Sequence, residues 1–238
     1  MHVSTDARGY TPWTALVLPF IEQQNQYNQF EYGFHNAGRF SQGGTDTDPG
    51  CYPTDPNASK VQPIAIFQCP SHSYGPKMRN NYFAVQGGGT TFSCQSHNAG
   101  KPDRRPWYLN GVMYANSTTS IAQIRDGVSN ALLLGETYYV ASTTATSDGT
   151  TTWAMSGKTG GGATGMQIAG MQIPINDVGP QEVALLNTMM RGFSSLHAGG
   201  AHFAFVDGSV HFINQNGDLA TLQKLSGRAD GGGWNGAL

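Results

Sequence analysis

Alternation of apolar and polar positions is sharpest near the C-terminus, in Ser194–Asn214, SSLHAGGAHFAFVDGSVHFIN. Ala201–Val206 and Ser209–Asn214 are β-rich runs of period two, with Asp207-Gly208 between them. Asp-Gly suits a type I′ turn, whose two central residues need positive φ, so the stretch reads as a two-residue hairpin. That turn would pair Val206 with Ser209, Phe205 with Val210 and Phe203 with Phe212. Phe203, Phe205, Val210 and Phe212 would then form the core face, and His202, Ala204, His211 and Ile213 a mixed one. Gly199-Gly200, just after His197, lets the backbone bend or approach something closely.

Helical spacing governs the other end. Trp13, Leu16, Val17, Phe20, Ile21, Tyr27 and Phe30 fall mostly on one stripe and predict an amphipathic helix over 13–30, which Pro19 would split into two short pieces. Between the ends, Ile64–Gln68 and Asn80–Gln86 read as short strands. Ser129–Thr137 reads as a buried one, since Ala131–Leu134 is continuously apolar. A short helix is expected at Ser120–Arg125, capped from residues 117–119 and stopped by Gly127. A last one is expected at Leu219–Leu225, capped by Asp218 and stopped by Gly227. Residues 32–63, 87–106 and 141–180 are rich in Gly, Pro, Ser, Thr and Asn, and the last reads as a loop insertion. The expected fold is α+β. A helix packs on one face of an antiparallel sheet built from 64–68, 80–86, 129–137, 201–206 and 209–214, in one domain spanning residues 1–238.

Composition narrows the function classes. In 238 residues only 12% are charged and the net charge is −2. No basic stripe is present, which argues against a nucleic-acid partner, and no run of like charge suggests an acidic lipid surface. Thirty-two glycines and abundant Asn, Gln, Ser and Thr suit an exported, loop-rich chain. The three cysteines, Cys51, Cys69 and Cys94, permit one disulfide in any of three pairings and contain no C-x-x-C. No apolar run is long enough to span a bilayer.

Candidate chemistry is sparse. Glu136 closes an apolar strand, where a carboxylate needs a partner, and His197 or Arg125 are partners by type. Asp126 and Asp207 both precede glycine, a turn position for Asp. A glycosidase pair would need two carboxyls roughly 5 to 9.5 Å apart, with Glu136 as acid and Asp207 or Asp126 as its partner. His197 would assist, or tie the hairpin to the strand of Glu136. Trp107, Tyr108, Tyr138 and Trp153 would line a sugar-stacking groove, unless they are core rings. His202 and His211, on one hairpin face, are candidate ligands for a transition metal. Asp46 and Asp48 resemble the start of a calcium loop but lack its closing Glu. Lys101, Arg104 and Arg105 form a small basic cluster. Gly160–Gly165 formally fits G-x-G-x-x-G, but it follows no strand and opens no helix. Residues 156–159 lack the first glycine of a P-loop, and no G-x-S-x-G elbow exists.

His197, nine residues, then Asp207-Gly208 resembles the C-terminal motif of a large planctomycete-type family of unknown function, DUF1559-type, whose members have a prepilin-type N-terminus. TPWTALVLPFIEQQNQYNQF (11–30), FQCPS (67–71), NGVMYANS (110–117), IAQIRDGVSNALLLGE (121–136) and LQKLSGRADGG (222–232) match it in order. The resemblance implies a pilin-like or pseudopilin-like fold. It also implies that the chain is a soluble domain whose N-terminal hydrophobic helix is missing and whose Met1 is an added start, or else a natural paralogue that lost its anchor. It implies export to the periplasm, cell surface or medium, with membrane anchoring through that helix alone. Partners would be pilin-like or secretion-system subunits, and polysaccharide under the other readings. The implied function is assembly or surface recognition without a cofactor. The alternatives are a secreted glycoside hydrolase and a non-catalytic glycan- or solute-binding domain.

Overall fold

The computed structural model describes residues 12–28, 63–72, 80–90, 94–95, 106–114, 117–137, 153, 167–177, 191–233 and 236. The chain divides into two compact units, Met1–Asn80 with Ala141–Gln167, and Asn81–Val140 with Ile168–Leu238.

In the first unit the helical stripe is broken into three pieces. They are α1 (Trp13–Leu16), a 3-10 turn (Leu18–Ile21) holding Pro19, and α2 (Gln24–Tyr27). Glu22, at φ 60°, makes the left-handed step after Pro19 that ends the turn. Ala15 and Leu18 are buried with Ile64, Phe67 and Trp153, and Trp13, Val17, Ile21 and Tyr27 pack around them. Residues 64–68, expected as a strand, instead form a 3-10 turn at Ala65–Phe67. Ile64 and Phe67 are buried while Ala65 and Ile66 are exposed, so burial there has a period of three rather than two. Pro63 and Pro70 bound the segment and limit ladder pairing on both sides.

The second unit holds a five-stranded mixed sheet. Its strands are β1 (Tyr82–Gly88), β4 (Leu132–Glu136), β5 (Ile168–Met171), β6 (Gly200–Phe205) and β7 (Val210–Asn214), in the order β5-β1-β4-β6-β7. A separate ribbon pairs β2 (Cys94–Gln95) with β3 (Pro106–Trp107). Four sheet strands overlap the runs read as strands, but the sheet is mixed where an antiparallel one was expected. The fifth, β5, lies inside the stretch read as loop and runs parallel to β1. Helix α3 (Leu219–Leu225) starts as expected, with the Asp218 carboxylate accepting from Thr221 N–H at 2.8 Å, and it packs against β1 and β5. Phe83, Val85, Leu132, Ile168, Phe203, Phe205 and Leu222 are among the buried residues of this unit. A smaller cluster of Val112, Ile124 and Ala131 gathers Met113, Val128, Leu133 and Val206. The architecture is α+β, and among the described residues no helix is long and apolar enough to cross a membrane.

The hairpin corrects the expected register. Ala204 pairs with Val210, Phe203 with His211, His202 with Phe212 and Ala201 with Ile213. The loop therefore has three residues. Phe205 N–H donates to Ser209 C=O at 2.9 Å, Gly208 N–H to Phe205 C=O at 3.0 Å, and Gly208 takes φ 86°. A three-residue loop with a left-handed glycine is the bulged alternative to type I′. Val206 leaves the ladder because its N–H bonds Ala131 C=O at 3.0 Å. A one-residue slip exchanges faces. Ile213 is accordingly buried, while Val210 and Phe212 are 62% and 41% exposed.

Candidate functional site

Glu136 sits at the end of β4, and β4 pairs with β6 so that Gly135 faces Phe203. The next step along both strands brings Glu136 to His202. Its side chain is 5% exposed and fully engaged. Oε2 accepts from His202 N–H at 2.7 Å and lies 3.3 Å from His202 Nδ1, while Oε1 lies 3.1 Å from His197 Nε2. Gly135 beside it has no room for a side chain, since a Cβ there would stand 2.5 Å from Phe193 and 2.6 Å from Phe203. The two aromatic rings thus press on β4 where the carboxylate emerges.

The loop that delivers His197 is pinned by Ser195. The Ser195 hydroxyl donates to Gly200 C=O at 2.6 Å and accepts from His197 N–H at 3.0 Å. Ser195 N–H donates to Asn176 Oδ1 at 2.8 Å, and Ser194 N–H to Glu136 C=O at 3.0 Å. Gly199, at φ 85°, then turns the chain into β6. The imidazoles of His197 and His202 meet edge to face with centroids 4.9 Å apart, and His202 meets Phe212 at 5.1 Å. His197 ties the hairpin to the central strand, as one of its two expected roles required. Arg125, the other expected partner of Glu136, instead donates its backbone N–H to Arg228 C=O at 2.7 Å.

Asp207 and Gly208, the other half of the motif, build the turn. The Asp207 carboxylate accepts from Ser209 N–H at 2.9 Å and Ser209 Oγ at 2.6 Å. These two bonds hold its pKa below the ordinary 3.8. Asp207 N–H donates to Val128 C=O at 3.1 Å, so the turn rests beside the start of β4. Residues 2–220 match the family described as SBP_bac_10, a protein of unknown function (DUF1559). The chain belongs to that family. No curated protein and no solved structure matches it.

This member of the DUF1559 family keeps its acids apart. Val206 bonds Ala131, five residues before Glu136, so along the strand the Asp207 turn and Glu136 are separated by about 16 Å. That exceeds the roughly 5 to 9.5 Å of a glycosidase pair. Asp126 lies before the same far end, where its carboxylate accepts from Asp230 N–H at 2.7 Å and Gly231 N–H at 3.0 Å. It anchors the C-terminal segment, together with Arg228, whose guanidinium donates to Leu109 and Gly111 carbonyls at 2.6 and 2.8 Å.

The remaining candidates separate as well. The slipped register puts His202 and His211 on opposite faces, which removes the shared face on which they were read as metal ligands. His211 packs its ring on Phe205 at 5.3 Å. Trp153 is fully buried and stacks on Phe67 at 5.8 Å. Tyr108 is buried over Gly170, and its hydroxyl donates to Gly89 C=O at 2.7 Å. Burial pushes its pKa up to about 12, against a smaller lowering from Arg191. Both rings are core, while Trp107 is half-buried. Tyr138, Asp46, Asp48, Lys101, Arg104 and Arg105 lie outside the described residues. The involvement of His202 was missed from sequence. Pairing β4 with β6 would have found it, because that register sets Glu136 opposite His202.

Proposed function

We propose that this chain is a pseudopilin-like domain of an exported surface or secretion apparatus, acting by assembly or surface recognition rather than by turnover. One observation carries the reading. The motif residues His197, Asp207 and Gly208 are committed to holding a hairpin. Each bonds its neighbours in a way that completes the turn or ties it to β4. A motif that fixes a shape favours a recognition surface over a reaction centre. The separation of Glu136 from Asp207 supports the same view, since hydrolysis by that pair lacks its geometry.

The test is a panel of polysaccharides and model esters incubated with the purified chain and with Glu136→Gln, with melting curves for both. The reading expects no turnover by the parent and a lowered melting temperature in the variant. Turnover that vanishes in a well-folded Glu136→Gln protein would make the chain an enzyme.

A further inference from the structure

β7 is the last strand of the sheet, and among the described residues no strand pairs with its outer side. The hairpin bonds define which groups face outward. Phe205 N–H bonds Ser209 C=O and Gln215 N–H bonds Gly199 C=O. With the period of two of an antiparallel ladder, the odd-numbered residues of β7 therefore bond β6. The N–H and C=O groups of Val210 and Phe212 point away from the sheet. Their side chains are exposed too, at 62% and 41%.

Edge strands are ordinarily blunted by charge, proline or a bulge. Residues 209–217, SVHFINQNG, contain no Asp, Glu, Lys, Arg or Pro. The nearest acids in sequence are Asp207, within the hairpin turn, and Asp218, past the turn at the other end. Two such edges brought together along Val210–Asn214 meet no like charge. The stretch is also complementary to itself. In an antiparallel pair centred on Phe212, the outward groups of Phe212 meet those of its own copy, and Val210 meets Asn214. Phe212 is held ready by its contacts, with its ring 5.1 Å from that of His202.

We propose that β7 pairs antiparallel with β7 of a second copy of this chain about a twofold axis at Phe212, extending each five-stranded sheet across the dimer. The inference rests on the assembly reading and names one contact within it. Phe212 meeting Phe212 is a pair that exchanges both backbone bonds, and its side chains add an aromatic contact.

Sedimentation of the full chain over a concentration series reads the dimer. Val210→Pro removes an outward N–H and no bond to β6. Phe212→Lys sets two like charges face to face at the axis. Each should raise the dimer dissociation constant about tenfold or more. Cysteine substitutions test the register under mild oxidation, with the parent as the control for Cys51, Cys69 and Cys94. Phe212→Cys stands about 5.5 Å from its own copy and should form a disulfide-linked dimer. Val210→Cys stands about 13 Å from its own copy and should not. A chain that stays monomeric throughout overturns the proposal. So does a dimer indifferent to both variants, or equal cross-linking at 210 and 212. A monomer that shows no turnover in the polysaccharide panel removes this contact alone and leaves the assembly reading standing.

Discussion

Replacing Glu136 tests whether the carboxylate is a tie. Its two oxygens hold His202 N–H at 2.7 Å and His197 Nε2 at 3.1 Å from a side chain that is 5% exposed. A hydrogen bond to a charged group contributes about 1.5–3 kcal/mol and a neutral one about 0.5–1.5 kcal/mol. Glu136→Gln keeps the shape and turns both bonds neutral, so it should cost about 2 kcal/mol. For a chain of this size that is a fall of about 4–8 °C in melting temperature. Glu136→Ala also strands the His202 N–H and should cost about 3 kcal/mol or more. His197 is 26% exposed, so its share is discounted for water. A double-mutant cycle of Glu136→Gln with His197→Ala should then give a coupling of about 1 kcal/mol. Urea unfolding of the parent, both single variants and the double variant supplies the four free energies. The reasoning fails if Gln and Ala at 136 both leave stability within about 0.5 kcal/mol of the parent, or if the cycle is additive within that margin.

Four further outcomes check the rest of the site. Gly208→Ala places a side chain at φ 86° and should destabilise by about 1–2 kcal/mol in thermal melts; an unchanged melt would mean that the loop is not bulged. Gly135→Ala drives a methyl into Phe193 and Phe203 and should cost about 1–3 kcal/mol. The Asp207 carboxyl is held below its ordinary 3.8, so its contribution is whole above that pH and is lost as pH falls through the folded value. Asp207→Asn should flatten that acid limb of the melting-temperature profile, and an identical profile would dismiss the Ser209 bonds as its cause. Tyr108, pushed from 10.0 to about 12, contributes stability below pH 10 that disappears as pH rises toward its folded value. Tyr108→Phe should remove that alkaline loss, while a phenol titrating near 10 would contradict the burial.

Local chemistry was legible and long-range pairing was not. Asp218 and Leu219–Leu225 announce a capped helix within ten residues, and that helix stands as read. The need of a buried acid for a partner pointed from Glu136 to two residues by type, Arg125 and His197, and the one 61 positions away, His197, makes the contact. The hairpin register could not be settled this way. Asp207-Gly208 serves a two-residue type I′ loop and a three-residue bulged loop alike, and Val206 is apolar enough to extend the strand. What removes Val206 from the ladder is Ala131 C=O, 75 residues upstream, which takes its N–H. β5 was hidden for a related reason. Ile168–Met171 is four residues, includes a glycine and is buried throughout, so it carries no alternation for a sequence to display. Its strand character comes from lying parallel to β1, with Gly170 making room for the Tyr108 ring. The slip in the hairpin matters most for function. It moves Phe212 from the core face to the exposed one, whereas the tie of His202 to Glu136 follows from the β4–β6 register.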